Sequence, residues 1–349
     1  MNNARRQLMK NMMGGMTACA ASPFLPPLNA FAYDVESEFQ EITPQLIKSI
    51  DRGLAFLASQ QQSDGSYGHS QFPKHAGVTS IAGLAFMAHG DLPDRGPYSQ
   101  TVKKALDFVL RSSKPNGLLA ADTSHGPMYG HGFATLFLGE IYGQTHDPRI
   151  REALLKAVRL IINSQNDEGG WRYQPVPDEA DISVTICQVK ALRSARNAGI
   201  KVPKKTIDRA VEYVRKCQNP DGGFRYMLHS GGGSAFPRSA AGVSTLWYAG
   251  INSDDEAVQS GLSYLMRHLP GETHNIPHYF YGQYYAAQAM FVAGGKHWKQ
   301  WFPAIRQELL SRQDSTYGSW SGQAGTAYGT GMALIILQMP YRYLPIFQK

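Results

Sequence analysis

The chain has 349 residues, of which 43% are hydrophobic and 17% are charged, so it has ample material for a core and is neither disordered nor a coiled coil. Beyond its N-terminal segment it contains no apolar run of about 18 residues, which excludes a polytopic membrane protein. The net charge of +7 is too small and too scattered to predict a nucleic-acid partner.

The first predicted element is an export signal over residues 1–32. Arg5 and Arg6 form a twin-arginine pattern, and residues 30–32 read Ala-Phe-Ala, the form of a cleavage site. This pattern predicts twin-arginine-type export to the periplasm or cell envelope, with a single mature domain over residues 33–349. The alternative is a basic N-terminus that is never processed.

The three cysteines indicate no disulfide framework. Cys19 falls in the predicted signal, where lipidation stays open. Cys187 and Cys217 lie among apolar helical positions without the spacing of a metal or redox pair. We therefore expect two buried free thiols.

The rest of the chain is built from a repeat. A phrase of Gln, three residues, Gly, one residue and an aromatic recurs over residues 61–67, 165–171 and 218–224, and with one extra residue over 313–320. Weaker copies lie at 116–118 and near Gly271. The spacing of about 50 residues predicts six units between about residue 44 and residue 340.

Each unit predicts two helices. The helix before the phrase has apolar residues at intervals of three and four, so it is amphipathic. The helix after the phrase is apolar on nearly all sides and therefore buried. The chain is thus predicted to be all-α, with about twelve helices in an outer and an inner layer. The predicted inner helices span residues 76–88, 132–142, 182–198, 239–249, 282–293 and 329–337.

The phrase has a structural role in this interpretation. Gly can adopt the left-handed conformation that ends a helix. The Gln side chain can bind backbone groups there, and the aromatic residue covers the junction between neighbouring units. We expect these residues to connect the units rather than to catalyse.

The repeat resembles that of squalene and oxidosqualene cyclases, whose hallmark is this Gln-to-Trp phrase, and residues 165–171 match it in full. The β subunits of protein prenyltransferases are similar. The resemblance covers residues 44–340. It implies a closed α/α toroid of six helical hairpins, with a central cavity lined by the N-terminal ends of the inner helices.

The cyclase acid motif is present only in part. Class II triterpene cyclases protonate an alkene with the middle acid of Asp-x-Asp-Asp-Thr-Ala. The nearest match begins at Asp178 and continues to Asp181, with Ala180 in place of the proton donor. Asp178 and Asp181 are accordingly the candidate catalytic residues, and the resemblance leaves catalytic activity open.

No metal or cofactor is predicted. The Asp-x-Cys pair with which prenyltransferases hold zinc is missing, and there is neither a Cys/His cluster with metal spacing nor an Asp-Asp-x-x-Asp motif. Asp254, Asp255 and Glu256 open an outer helix, where acids favour the helix dipole.

Polar and aromatic residues near the starts of the inner helices are the candidates for substrate binding. Each has a structural alternative: a helix cap, a core tyrosine, or a histidine bound to local backbone. If they converge on one rim, they form an acid/base or anion-binding group, and the aromatic run after residue 278 could stabilise a cation or stack on a sugar. The candidates are His75, His131, Arg238, His278, Tyr281, Tyr284 and Tyr328, and the wider set adds His125, Tyr279, Tyr285 and Thr326.

Three functions remain open. The first is an exported terpenoid cyclase-like enzyme with a polyisoprenoid or other apolar ligand, and the second is a non-catalytic toroid of the cell envelope that binds a lipid or a partner. The third is a polysaccharide-cleaving toroid, with Tyr and His as base and Arg holding a carboxylate. A polar, open cleft with Arg238 and His131 on its floor would favour it. Peripheral membrane association is possible, and the oligomeric state is open.

Overall fold

The computed structural model describes residues 41–123, 126–272 and 276–348. The predicted signal and His125 lie outside these residues. Residues from Glu41 onward form one compact unit. Within the described ranges it has twelve α-helices and no strand: α1 Pro44–Ser59, α2 Ala76–His89, α3 Ser99–Arg111, α4 Met128–Ile141, α5 Pro148–Asn163, α6 Ile182–Asn197, α7 Lys204–Lys216, α8 Phe236–Ala249, α9 Glu256–Met266, α10 Tyr279–Ala293, α11 Gly295–Arg312 and α12 Thr326–Leu337.

The even-numbered helices form a closed inner ring. Each packs against the next in chain order, and α12 packs back against α2. Their residues are mostly small or apolar, as in α2, where all residues from Ala76 to Ala88 are buried. A helix that is apolar all round is stable only inside such a layer. The predicted all-α toroid of six hairpins is confirmed.

The odd-numbered helices lie outside this ring and bury one face each. In α5 the buried residues include Ile150, Leu154, Val158 and Ile161, which recur at three and four residues. The outer layer also closes, because α11 contacts α1. None of the described helices has the length and apolarity needed to cross a membrane.

The repeated glutamine joins neighbouring outer helices. Gln165 Nε2 donates to Gly169 O of its own turn at 2.8 Å and to Thr206 O of the next outer helix, α7, at 2.9 Å. This side chain thereby joins the turn after α5 to the first turn of α7. The same second bond joins Gln61 to Thr101 O, Gln218 to Ala257 O and Gln313 to Ser49 O.

The repeated glycine is required by conformation and by space. Gly169 has φ of 102°, and a Cβ there would lie 2.2 Å from Arg209 O of the next outer helix. The weak second copy has the same geometry at Gly117, with Leu119 in the aromatic position, one residue later than the sequence pattern suggested. The indoles complete the junctions: Trp171 Nε1 donates to Ile161 O and Trp320 Nε1 to Leu309 O, both at 2.7 Å.

Four inner helices begin several residues earlier than predicted, at Met128, Phe236, Tyr279 and Thr326. Their first turns contain Gly, Pro or aromatic residues, which carry little periodic signal, and packing against the neighbouring inner helices decides their conformation instead. These first turns lie at the end of the ring that we call the mouth.

The opposite end, where the inner helices stop, is covered by a segment that we call the tail, Pro345–Phe347. Ile346 and Phe347 are buried, and the tail packs on α6. Ile346 N donates to Glu140 Oε2 of α4 at 2.8 Å. The tail therefore lies across the centre of this end.

Candidate functional site

Asp181 caps α6 at the mouth. Its Oδ1 accepts from Val184 N at 2.8 Å, and its backbone N donates to Trp171 O at 3.0 Å. The side chain has no exposed surface. The junction phrase before it and the helix after it therefore fix this carboxyl from both sides.

The second oxygen of Asp181 completes no hydrogen bond of normal geometry, although the Tyr226 hydroxyl lies close enough to lower the pKa of the carboxyl. Arg172 Nε lies 3.8 Å from Oδ2 but completes no hydrogen bond to it. Burial raises the pKa of Asp181 to about 6, although the bond from Val184, the hydroxyl of Tyr226 and the charge of Arg172 each act in the opposite direction. A buried carboxyl in this state retains its proton over part of the physiological range.

Tyrosines from four elements surround this carboxyl. The hydroxyls of Tyr173 and Tyr226 are 2.5 Å apart. The ring of Tyr129 lies 6.1 Å from that of Tyr173 and 6.4 Å from that of Tyr281, and Tyr281 packs on Tyr285 at 4.9 Å. The charge of Asp181 contributes to the raised pKa of Tyr129, Tyr226 and Tyr281, after burial itself. We call Tyr129, Tyr173, Tyr226, Tyr281 and Tyr285 the aromatic cluster.

Tyr281, Tyr284 and Tyr328, predicted to bind substrate, all lie on the inner helices and are wholly or largely buried. Tyr281 Oη donates to Ser183 O at 2.9 Å, which places it beside Asp181. Burial raises the pKa of Tyr328, and Cys187 adds to this. The structure thus brings Asp181 and Tyr281 together at the mouth.

Asp178 does not join this group. It is exposed in the loop before α6, where its carbonyl accepts from Asn166 Nδ2 at 3.3 Å. Glu179 beside it forms an ion pair with Arg172. The cation beside Asp181 is Arg172, and not Arg238 of the predicted set.

His131 has a structural position instead of a place at the mouth. Its Nδ1 accepts from Leu119 N at 3.1 Å, its Nε2 lies 3.3 Å from Ala157 O, and it is fully buried. Burial lowers its pKa to about 4, so it is neutral. In other units a hydroxyl of the inner helix accepts from the backbone N–H of the residue in the aromatic position. The four bonds are Tyr67 N to Thr79, Trp171 N to Thr185, Phe224 N to Ser239 and Trp320 N to Thr330.

The remaining candidates bind local groups. His75 caps α2, where its Nδ1 accepts from Gly77 N at 3.1 Å. His278 precedes α10 with φ of 53° and lies 2.7 Å from Gln323 Nε2 through its Nδ1. Arg238 donates to Phe224 O and Gly233 O. The side chains of His131 and Arg238 thus both bind backbone groups.

Sequence reasoning missed Tyr129, Tyr173 and Tyr226. A signal for two of them existed: Tyr173 stands two residues after Trp171, and Tyr226 stands two residues after Phe224. The same position of two successive units therefore supplies the hydroxyl pair at the mouth.

A second polar group lies deeper in the ring. Lys190 of α6 is buried, and its Nζ donates to Tyr284 Oη at 2.6 Å and to Gln288 Oε1, both on α10. Tyr248 Oη of α8 also donates to Gln288 Oε1, at 2.5 Å. Sequence reasoning missed Lys190 because the apolar pattern that predicts a buried helix does not single out one lysine within it.

Two surface concavities of about 380 and 350 Å³ lie outside the ring, beside Pro270 and around Asn252. Neither includes the aromatic cluster, so the predicted central cavity stays a prediction. Among the described residues, no three His, Cys, Asp or Glu side chains are placed to hold a metal ion.

Comparison with known proteins identifies related chains. The family described as the prenyltransferase alpha-alpha toroid domain matches residues 46–268. A drimenyl diphosphate synthase from Streptomyces showdoensis is 27% identical over 177 residues, which cover 49% of this chain and 31% of that protein. The match thus spans about a third of the relative's length.

Solved structures share the fold at low identity. Type II terpene cyclase MstE from Scytonema, in complex with its substrate geranylgeranyl dihydroxybenzoate, has a TM-score of 0.59 at 15% identity and covers 89% of this chain and 100% of its own. Cellobiose 2-epimerase from Spirochaeta thermophila has a TM-score of 0.66 at 13% identity and covers 90% and 98%. At these identities the two likenesses concern the fold alone.

Proposed function

The chain belongs to the prenyltransferase α/α-toroid family, and from that premise we propose that it binds an isoprenoid-like apolar ligand at the mouth of the ring, where Asp181 donates a proton to it. The substrate of MstE carries such a chain, and drimenyl diphosphate synthase is a sequence relative. These likenesses support the ligand class, and the residues of this chain support the role of Asp181.

The observation that carries the proposal is the state of Asp181. One oxygen caps α6, the other completes no hydrogen bond of normal geometry, and burial keeps the pKa of the carboxyl near 6. A structural cap needs only one oxygen, and a carboxyl that serves as a cap alone gains nothing from dry surroundings. A buried carboxylic acid with a free oxygen is suited to proton donation.

The reaction that fits is protonation of an alkene. The proton moves from Asp181 to one alkene carbon, the π electrons form the new C–H bond, and the other carbon becomes a cation while Asp181 becomes a carboxylate. The N-terminal dipole of α6 and the nearby Arg172 stabilise that carboxylate. The rings of Tyr129, Tyr281 and Tyr285 offer π faces to the cation.

The test uses farnesyl diphosphate, geranylgeraniol and squalene in D₂O, with products analysed by mass spectrometry. Wild type should give a cyclised product with one carbon-bound deuterium, and Asp181→Asn should lose at least about 100-fold in rate because Asn retains the cap but cannot donate the proton. Asp178→Asn is the matched control and should keep wild-type activity.

Binding is measured separately by native mass spectrometry. Equal turnover by wild type and Asp181→Asn would contradict proton donation. Binding without turnover in wild type would favour the alternative of a non-catalytic lipid-binding toroid.

Export is proposed on the N-terminal pattern. Replacing both Arg5 and Arg6 by Lys should retain the precursor in the cytoplasm, as cell fractionation would detect. Unaffected export of this variant would contradict the twin-arginine route.

A further inference from the structure

A buried lysine inside the ring has no carboxylate bound to it. Lys190 is 1% exposed, and in the described part of the chain its Nζ has neutral hydrogen-bond partners, Tyr284 and Gln288. Glu140, the nearby acid, accepts instead from Ser194 Oγ at 2.6 Å and from Ile346 N at 2.8 Å. The amine is therefore enclosed without an ion pair.

This arrangement is costly for the fold. Lysine is almost never fully buried unless it is paired, because removing an ammonium from water costs several kcal/mol. A methionine of similar length would fill the same space without that desolvation. The amine at this position thus points to a role beyond packing.

Three aromatic rings surround the amine. Its Nζ lies 4.4 Å from the ring centre of Tyr284, 5.2 Å from that of Tyr248 and 5.3 Å from that of Phe347 in the tail. The faces of such rings carry negative potential, so they favour a cation and disfavour an anion between them. A phosphate or carboxylate ligand is therefore a poor match for this site.

The amine is also prepared to act as a nucleophile. Burial lowers the pKa of Lys190 to about 7, and the charge of Glu140 opposes that shift. A neutral amine in dry surroundings adds to carbonyl carbon, as lysines that form Schiff bases do.

We propose that Lys190 is a covalent attachment site for an aldehyde or ketone that carries an apolar chain. The lone pair of Nζ forms the bond to the carbonyl carbon, and both amine protons leave with the carbonyl oxygen as water, relayed by the hydroxyl of Tyr284. The product is an imine. When it is protonated, the rings of Tyr248, Tyr284 and Phe347 stabilise its positive charge.

This site is distinct from the mouth. Lys190 follows Asp181 by nine residues on α6, so their Cα atoms lie about 13.5 Å apart along the helix. The imine requires no proton from Asp181, and the proposal stands independently of alkene protonation. The tail covers the amine from the opposite end through Phe347, so its movement controls access.

The experiment treats the folded full-length protein with citral, an isoprenoid aldehyde, and cyanoborohydride at pH 7, followed by peptide mapping. The adduct on Lys190 should form at least about tenfold faster than on exposed lysines, because its neutral fraction is about a thousandfold larger than that of an ordinary lysine. Lys190→Met should lose this adduct, whereas the exposed control Lys204→Met should keep it.

Two further samples make the result decisive. Phe347→Ala loosens the cover and should accelerate labelling of Lys190, and protein unfolded in urea should label all lysines at similar rates. If Lys190 is not labelled ahead of surface lysines in either wild type or Phe347→Ala, the proposal is wrong. If Lys190 is labelled preferentially in Phe347→Ala alone, the site exists and the tail gates it.

Discussion

Single residues decide the chemistry at the mouth, and Asp181 shows how burial does so. The same carboxyl would titrate near 3.8 in the unfolded chain and titrates near 6 in the folded protein. Folding thus couples to protonation with a sign opposite to that of an ordinary salt-bridged aspartate.

The stability of the protein should carry this signature. Between pH 4 and pH 6 the folded state holds a proton on Asp181 that the unfolded state has lost, so the contribution of this group is present at low pH and is lost as the pH rises through 6. The loss amounts to about 3 kcal/mol, at about 1.4 kcal/mol per pH unit. Urea unfolding of wild type and Asp181→Asn measures this contribution, because the pH dependence of all other titratable groups is common to both proteins and cancels in the difference.

The free energy of unfolding of Asp181→Asn should therefore rise relative to that of wild type as the pH rises from 4 to 6. Parallel pH profiles for the two proteins would show that Asp181 has an ordinary pKa and would remove the main support for a proton donor.

At the residue scale the structure brings Asp181 and Tyr281 together, whereas Asp178 is exposed in a loop and the side chains of Arg238 and His131 bind backbone groups. The functional role of each candidate stays a prediction. Motif similarity locates a residue along the chain. Whether that residue caps a helix, lies in an exposed loop or binds a backbone group depends on packing, which the motif does not specify. His131 accepts a hydrogen bond from Leu119 N, as Thr185 does from Trp171 N in the next unit, and the presence of a histidine does not predict this bond.

At the scale of elements, the junction between two units is the repeated structural part. The glutamine bonds to a carbonyl of the next unit, the left-handed glycine lies against the backbone of that unit, and the indole donates to a carbonyl of its own outer helix. The sequence predicted this role well, because the phrase recurs with nearly constant spacing. The sequence did not predict where four of the inner helices begin, because packing against neighbouring helices overrides the weak helix propensity of their first turns.

Replacing one junction glutamine should reveal its contribution. Gln165→Ala leaves Gly169 O and Thr206 O without this donor in a buried site, which should cost about 2 kcal/mol. Gln61→Ala is the matched control, because Gln61 makes the same two bonds in a half-buried site, and it should cost less. Chemical denaturation measures both, and equal costs would contradict a burial-dependent role.

At the scale of the whole molecule, stability depends on closure. Every inner helix contacts two inner neighbours, so each unit relies on the units beside it. The predicted toroid was correct in class and in number of units, because the repeat period gives six units and the resemblance to the cyclase repeat implies a closed ring.

Removing the sixth unit should therefore unfold most of the chain. Deletion from Trp298 onward takes away α12 and most of α11, which exposes α2, α10 and α1 to water. Circular dichroism should show a loss of helicity well beyond the deleted part. A soluble truncated protein with near-full helicity in its remaining helices would contradict cooperative closure.

The bond from Gln313 to Ser49 has a consequence for how the ring opens. Five junctions are also bridged by the polypeptide itself, whereas the sixth joins residues 264 apart in the chain through non-covalent contacts alone. The molecule is thus mechanically a split ring. Opening the sixth junction frees the chain ends from loop closure, and opening any other junction does not. Local opening by thermal fluctuation should therefore occur mostly between α11 and α1.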